Sequence, residues 1–120
     1  MARTDKPRTD QPVDLDHLDR YTGGDRAINQ EILRLFDDQC RESLAMLEYL
    51  AQGSGDSQSW REIAHRLKGA ARGIGAFALG DAAAVAEKTA PEEALAVLER
   101  LRDDAAAVHN LIAEFLKASA

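Results

Sequence analysis

Apolar residues recur along this chain at spacings of three and four, so the pattern predicts helices and no strands. Asp14 is placed to cap a short first helix carrying Leu15 and Leu18 and ending at Gly23-Gly24. Asp25 starts a second helix, running to about Gln52, whose apolar arc is Ile28, Ile32, Leu35, Phe36, Cys40, Met46, Leu47 and Leu50. Gln39 and Ser43 interrupt that arc at a solvated edge. Gly53-Ser54-Gly55-Asp56 reads as a loop. Ser59-Trp60-Arg61-Glu62 then reads as a capping box that opens a third helix and puts His65 in its second turn. Gly73 and Gly75 end it. A fourth helix, about Phe77 to Lys88, carries the small-residue face Leu79, Ala82, Ala83 and Ala86, with Gly80 costing it about 1 kcal/mol relative to alanine. Pro91-Glu92-Glu93 opens the last helix, whose seam is Leu98, Leu101, Ala105, Val108, Ile112 and Phe115.

Four longer helices joined by short loops make an all-α, up-down-up-down antiparallel bundle over residues 14–118, with a short extra helix at its N-terminal end. Residues 1–13, rich in Thr, Asp, Lys, Arg and Pro and without periodicity, are expected to form a disordered tail.

The third helix divides by chemistry. At about 100° per residue, Trp60, Ile63, Ala64, Leu67, Ala70, Ala71 and Ile74 share one arc. Arg61, His65, Lys68 and Arg72 form a stripe facing away from it, with Gly69 one turn beyond His65. An imidazole kept for packing would sit on the apolar side. This one is presented to solvent among three cations.

Composition narrows the function. The chain has 120 residues, 45% of them hydrophobic, and a net charge of −6, which describes one globular domain with a modest core. An acidic total argues against general nucleic-acid binding, so the basic stripe is a local exception. Cys40 is the sole cysteine, ruling out an internal disulfide and a thiolate zinc site, and it reads as a small buried apolar residue. No apolar run approaches the roughly 20 residues that span a bilayer. Residues 1–13 lack the apolar stretch of a signal peptide, so the expected location is the cytoplasm. His17, among acidic neighbours, reads as an exposed residue without chemistry, and His109 as an edge residue of the last helix.

An exposed neutral imidazole is a competent nucleophile toward phosphorus. Phosphoryl transfer is governed by positioning and by charge on the equatorial oxygens. Lys68 can neutralise part of that charge, Arg61 and Arg72 can steer an acidic partner, and Gly69 leaves room for the phosphoryl group and the partner. Walker A, GxGxxG and kinase signatures are missing, so intrinsic kinase activity is not expected.

The run His65-Arg66-Leu67-Lys68-Gly69, followed by Gly75, resembles the core motif of the monomeric histidine-containing phosphotransfer (HPt) domain. The resemblance extends over roughly Asp14 to Leu116. It implies the same bundle and a role as phosphorelay carrier. His65 would take a phosphoryl group from the aspartate of one receiver domain, as in a hybrid histidine kinase, and pass it to another, as in a response regulator. It further implies roles for His65, Lys68 and Gly69 at the reacting surface, with Leu67 in the core and Gly75 serving the backbone. The Mg²⁺ would belong to the receiver, and the carrier would hold no cofactor. Relatives often place a polar side chain of the fourth helix near the imidazole, for which Glu87 and Lys88 are the candidates.

Three other readings use some of these residues. Glu62-x-x-His65 matches one element of a di-iron bundle, but a second element is missing and both residues are on the polar side. A helical adaptor that docks a receiver without being phosphorylated needs the bundle and the basic stripe, yet not Lys68 and Gly69. A phosphoryl sink with no onward transfer uses the same residues as a relay. Because four helices suffice within one chain, a monomer is expected.

Overall fold

Three aspartates set three of the helix starts in the computed structural model, which describes residues 11–54 and 56–118. Asp14 accepts from the amide of His17 and opens α1 (Leu15–Thr22); Asp25 accepts from the amide of Ile28 and opens α2 (Arg26–Tyr49). Asp56 accepts from the amides of Gln58 and Ser59 and opens α3 (Ser57–Ile74). Each such cap is worth about 1 kcal/mol. The third start corrects the expected capping box. The Ser59 hydroxyl donates to Asp56 instead of accepting, and Glu62 is taken up by the Gln58 amide. With the helix beginning at Ser57, His65 falls in its third turn.

α4 (Phe77–Glu87) and α5 (Leu95–Ala118) complete the molecule. Between them Pro91–Glu93 forms a separate 3₁₀ turn, so the proline does not open α5 as expected. α2 ends at Tyr49 and passes through a π-type turn, Leu50–Ser54, before α3. Each long helix packs against the next, and α2 closes the ring against α5, which gives the four-helix bundle. Its core runs through Leu33, Leu47, Trp60, Leu79, Leu101 and Ile112, all fully buried. Side chains of this size contribute roughly 1.5–3 kcal/mol each on burial.

The apolar arc of α2 is rotated from the expected one. Ile28, Leu35 and Met46 are exposed, whereas Leu33 and the polar Asn29 point inward. Asn29 is tolerated because it is satisfied: its amide donates to Asp19 at 2.7 Å, and Thr22 donates to it at 2.6 Å. This network ties α1 to α2. A second tie joins α1 to α3, where the Asp14 amide donates to the Gly75 carbonyl at 2.8 Å. Gly75, not Gly73, ends α3, at φ 95°, and a Cβ there would come within 2.6 Å of the Asp14 carbonyl oxygen. Val13 is buried in the core, one residue ahead of the expected domain start. Of the expected tail, residues 1–10 lie outside the described residues.

α3 and α4 make the most intimate contact of the bundle. Ala64 and Ala71 of α3 and Ala82, Ala83 and Ala86 of α4 are all fully buried, and small side chains let the two backbones approach. Gly80, which weakens α4 as an isolated helix, accommodates Arg72: a Cβ there would meet the Arg72 stem at 2.7 Å. This close pair positions the candidate site.

Candidate functional site

His65 stands on the outer face of α3 with its side chain 64% exposed. Its Nδ1 lies 2.9 Å from Oε2 of Glu87, on the last residue of α4. A carboxylate can only accept, so Nδ1 carries the hydrogen and donates it. That fixes which nitrogen remains: Nε2 has no hydrogen-bond partner among the described residues and keeps its lone pair whenever the ring is neutral. Lys68, one turn along α3, places its ammonium 2.8 Å from the other Glu87 oxygen. The Lys68 ammonium, and after it the His65 ring, hold the Glu87 carboxyl below the ordinary carboxylate range, against the opposing cost of its partial burial. Glu87 is thus ionised at neutral pH and shared by the two groups.

Beside the imidazole, a Cβ on Gly69 would meet nothing within 4 Å. The space above this turn is open in the free protein. On the other side of the ring a groove of about 600 Å³ is lined by Gln58, Arg61, Glu62, His65, Arg66 and Glu87.

Two of the three cations of the stripe are already engaged. Lys68 is paired with Glu87, and Arg72 reaches across to Asp81 on α4 at 3.1 Å. Arg61 is exposed and lines the groove. The exposed cation that sequence reasoning missed is Arg66, which shares the groove although it sits 100° round the helix from His65. Of the two α4 candidates, Glu87 is the one that reaches the imidazole.

The other histidines are placed differently. His17 is half-buried between the edges of Tyr21 and Phe77, with ring centroids 5.1 Å away in both cases. His109 on α5 meets Asp37 of α2 at 3.0 Å. Among the described residues, no group of three or more His, Cys, Asp or Glu side chains is arranged to hold a metal ion, and no helix is long and apolar enough to cross a membrane. Cys40 is buried, and that burial, with Asp37 nearby, pushes its thiol up to about 11.

An imidazole with one nitrogen donating to a fixed carboxylate, the other free, and an ammonium one turn away can take up and release a group at Nε2. The model of the Hpt domain family matches residues 31–117 of the chain, which includes all of α3, α4 and the Glu87 contact. No curated protein and no solved structure shows significant similarity to it.

Proposed function

The chain belongs to the Hpt domain family, whose members carry out histidine phosphotransfer in phosphorelays, and from that premise we propose that His65 is its phosphoacceptor. The observation that carries the proposal is the Glu87 contact at Nδ1, which leaves Nε2 as the nucleophile on an open face. In the forward step the Nε2 lone pair attacks the phosphorus of a receiver's aspartyl phosphate. The P–N bond forms as the acyl P–O bond breaks, and the receiver's carboxylate leaves. The Nδ1 hydrogen stays on the ring, so the product is a phosphoimidazolium balanced by Glu87. In the return step a second receiver's carboxylate attacks, the P–N bond breaks, and neutral imidazole departs with its lone pair restored.

Lys68 neutralises charge on the transferring oxygens. Gly69 keeps clear the surface on which the partner closes. Arg61, with Arg66, meets the acidic rim of a receiver's pocket, while Arg72 contributes less because Asp81 offsets it. The Mg²⁺ of the reaction is the receiver's. We assign the donor and acceptor to receiver domains of a hybrid histidine kinase and of response regulators, acting in the cytoplasm on a monomeric carrier.

The test is incubation with a phosphorylated receiver, or with a hybrid kinase and ATP. Label is expected on the chain as an acid-labile, base-stable phosphoramidate, with none from ATP alone. Label that persists in His65→Gln would overturn the assignment. A chain that binds receivers and never takes label would be an adaptor.

A further inference from the structure

We propose that Trp60 is the positioning residue that registers the Glu87 carboxylate against His65 and Lys68, and through it sets the tautomer of the reacting imidazole. The inference rests on the reading of His65 given above. Trp60 is the only tryptophan in the chain and is completely buried. Its indole Nε1–H donates to the carbonyl of Ala86 at 2.7 Å, across 26 residues of sequence. That carbonyl belongs to the peptide plane that also contains the nitrogen and Cα of Glu87. Fixing the Ala86 oxygen therefore fixes the point from which the Glu87 side chain departs.

The end of α4 needs such a fixture. A helix leaves its last carbonyls without intrahelical partners, and α4 stops without a left-handed cap, Lys88 having φ −101° and ψ 4°. The Thr89 hydroxyl takes the Val85 carbonyl at 2.7 Å, while the Thr89 amide reaches Ala86 at 3.1 Å. Both are local contacts that would follow the helix end wherever it went. The indole contact alone among these refers Ala86 to α3. Because α3 also carries His65 and Lys68, one rigid helix holds the anchor and both groups that Glu87 must meet. A phenylalanine would keep an aromatic ring in the core, though a smaller one; it could not make this link.

The charged groups around the imidazole are Glu87 from α4 and Arg61, Glu62, Arg66 and Lys68 from α3. Among these, only Glu87 depends on the relative placement of two helices.

The titration and tautomer readouts use the unphosphorylated chain, so they do not depend on whether His65 accepts phosphoryl groups. Trp60→Phe keeps an aromatic ring and removes the donor. By carbon NMR the Glu87 carboxyl should titrate higher, nearer its ordinary value. By nitrogen NMR the share of His65 carrying hydrogen on Nδ1 should fall. Transfer from a phosphorylated receiver should slow about fivefold, the scale of one lost hydrogen bond. In a Glu87→Gln background the same substitution should leave the tautomer where Glu87→Gln alone puts it. Leu101→Ala, which opens the fully buried core on α5, separates registration from general loosening: it should lower stability and leave the Glu87 titration in place. If Trp60→Phe does not fold, 3-benzothienylalanine at position 60 replaces the N–H by sulfur at nearly constant shape. Unchanged Glu87 titration and His65 tautomer in either variant, or an equal change in Leu101→Ala, would overturn the proposal. Label persisting in His65→Gln would instead strike at the acceptor assignment and leave these readouts standing.

Discussion

Among its described residues the bundle carries two histidine–carboxylate pairs of nearly equal geometry. On the α3–α4 side His65 meets Glu87 at 2.9 Å, and on the α2–α5 side His109 meets Asp37 at 3.0 Å. Both rings are largely exposed, at 64% and 51%, and both carboxylates are shared with a cation. The differences lie one step outward. Lys68 is on the same helix as its histidine and only 24% exposed, so it stays beside the ring. Arg41 is on the carboxylate's helix, 63% exposed, and divided between Asp37 and Asp38. One turn from His65 stands Gly69 with open space above it, whereas His109 has Ala113 at the matching position. Glu87 sits at a helix end fixed by Trp60, and Asp37 lies in mid-helix. A histidine beside a carboxylate is thus common seam chemistry. What distinguishes the proposed acceptor is cleared space and a cation held on its own helix.

The largest expected effect breaks the comparison outright. His65→Gln should abolish receiver-dependent labelling, and His109→Gln should leave it at the wild-type level, both read by phosphoramidate retained after base. Nearly as large is Gly69→Val. The added side chain has room in the free protein, and valine propagates a helix no worse than glycine, so thermal melts should show a folded chain. Transfer should nevertheless drop by about 100-fold, the scale at which displaced reacting groups lose rate. Added salt should not restore it, because the block is steric. A folded Gly69→Val that transfers at the wild-type rate would mean that no partner closes over this turn.

Lys68→Ala comes next, with transfer slowed about tenfold and the phosphohistidine lifetime altered. The loss should be smaller in high salt, because a partly exposed charge is screened in the wild type as well. The same substitution at Arg41 should change neither quantity. Acid offers a matching sign. Glu87 titrates below its ordinary value in the folded chain, so its contribution to stability is present above the unfolded carboxyl pKa of about 4.3 and is lost as pH falls through the lower folded value. Glu87→Gln should flatten that limb of an acid melt.

Much of this site could be read from the chain because one helix carries it. A period of 3.6 residues settles that His65, Lys68 and Gly69 share a face, whatever the neighbours do. The parts that were not legible depend on a second helix. Glu87 and Lys88 differ by 100° of rotation, and which one reaches α3 is decided by how the alanine face of α4 seats, with Gly80 under the Arg72 stem. Arg72 reads as a free cation until Asp81 is brought beside it. α2 misleads for a related reason: apolar residues ring it so broadly that Ile28, Leu35 and Met46 pass for core while Leu33 escapes notice. The Ser59 capping-box pattern points to a later start of α3 than the true one because Asp56, a residue at home in loops, is also a strong cap.

The smallest expected effect sharpens the comparison from the quieter side. Asp37→Asn keeps the shape of the side chain and removes the charge facing His109 and Arg41. Exposed pairs of this kind are worth about 0–1 kcal/mol, so the melting temperature should fall by no more than about 4–8 °C for a domain of this size. Transfer through His65 should be untouched. The same substitution has a second readout nearby. Burial is the main reason the Cys40 thiol is pushed up to about 11, and the Asp37 charge is the next. Removing that charge lowers the thiol's pKa while leaving its burial in place. At pH 9–10 a larger share is then thiolate, and reaction with a thiol reagent should quicken modestly, with little change at pH 7, where Cys40 stays protonated in both forms. A rate of phosphotransfer that followed Asp37→Asn would show that the two pairs are coupled through the core. Independence predicts that stability and thiol reactivity move while transfer does not.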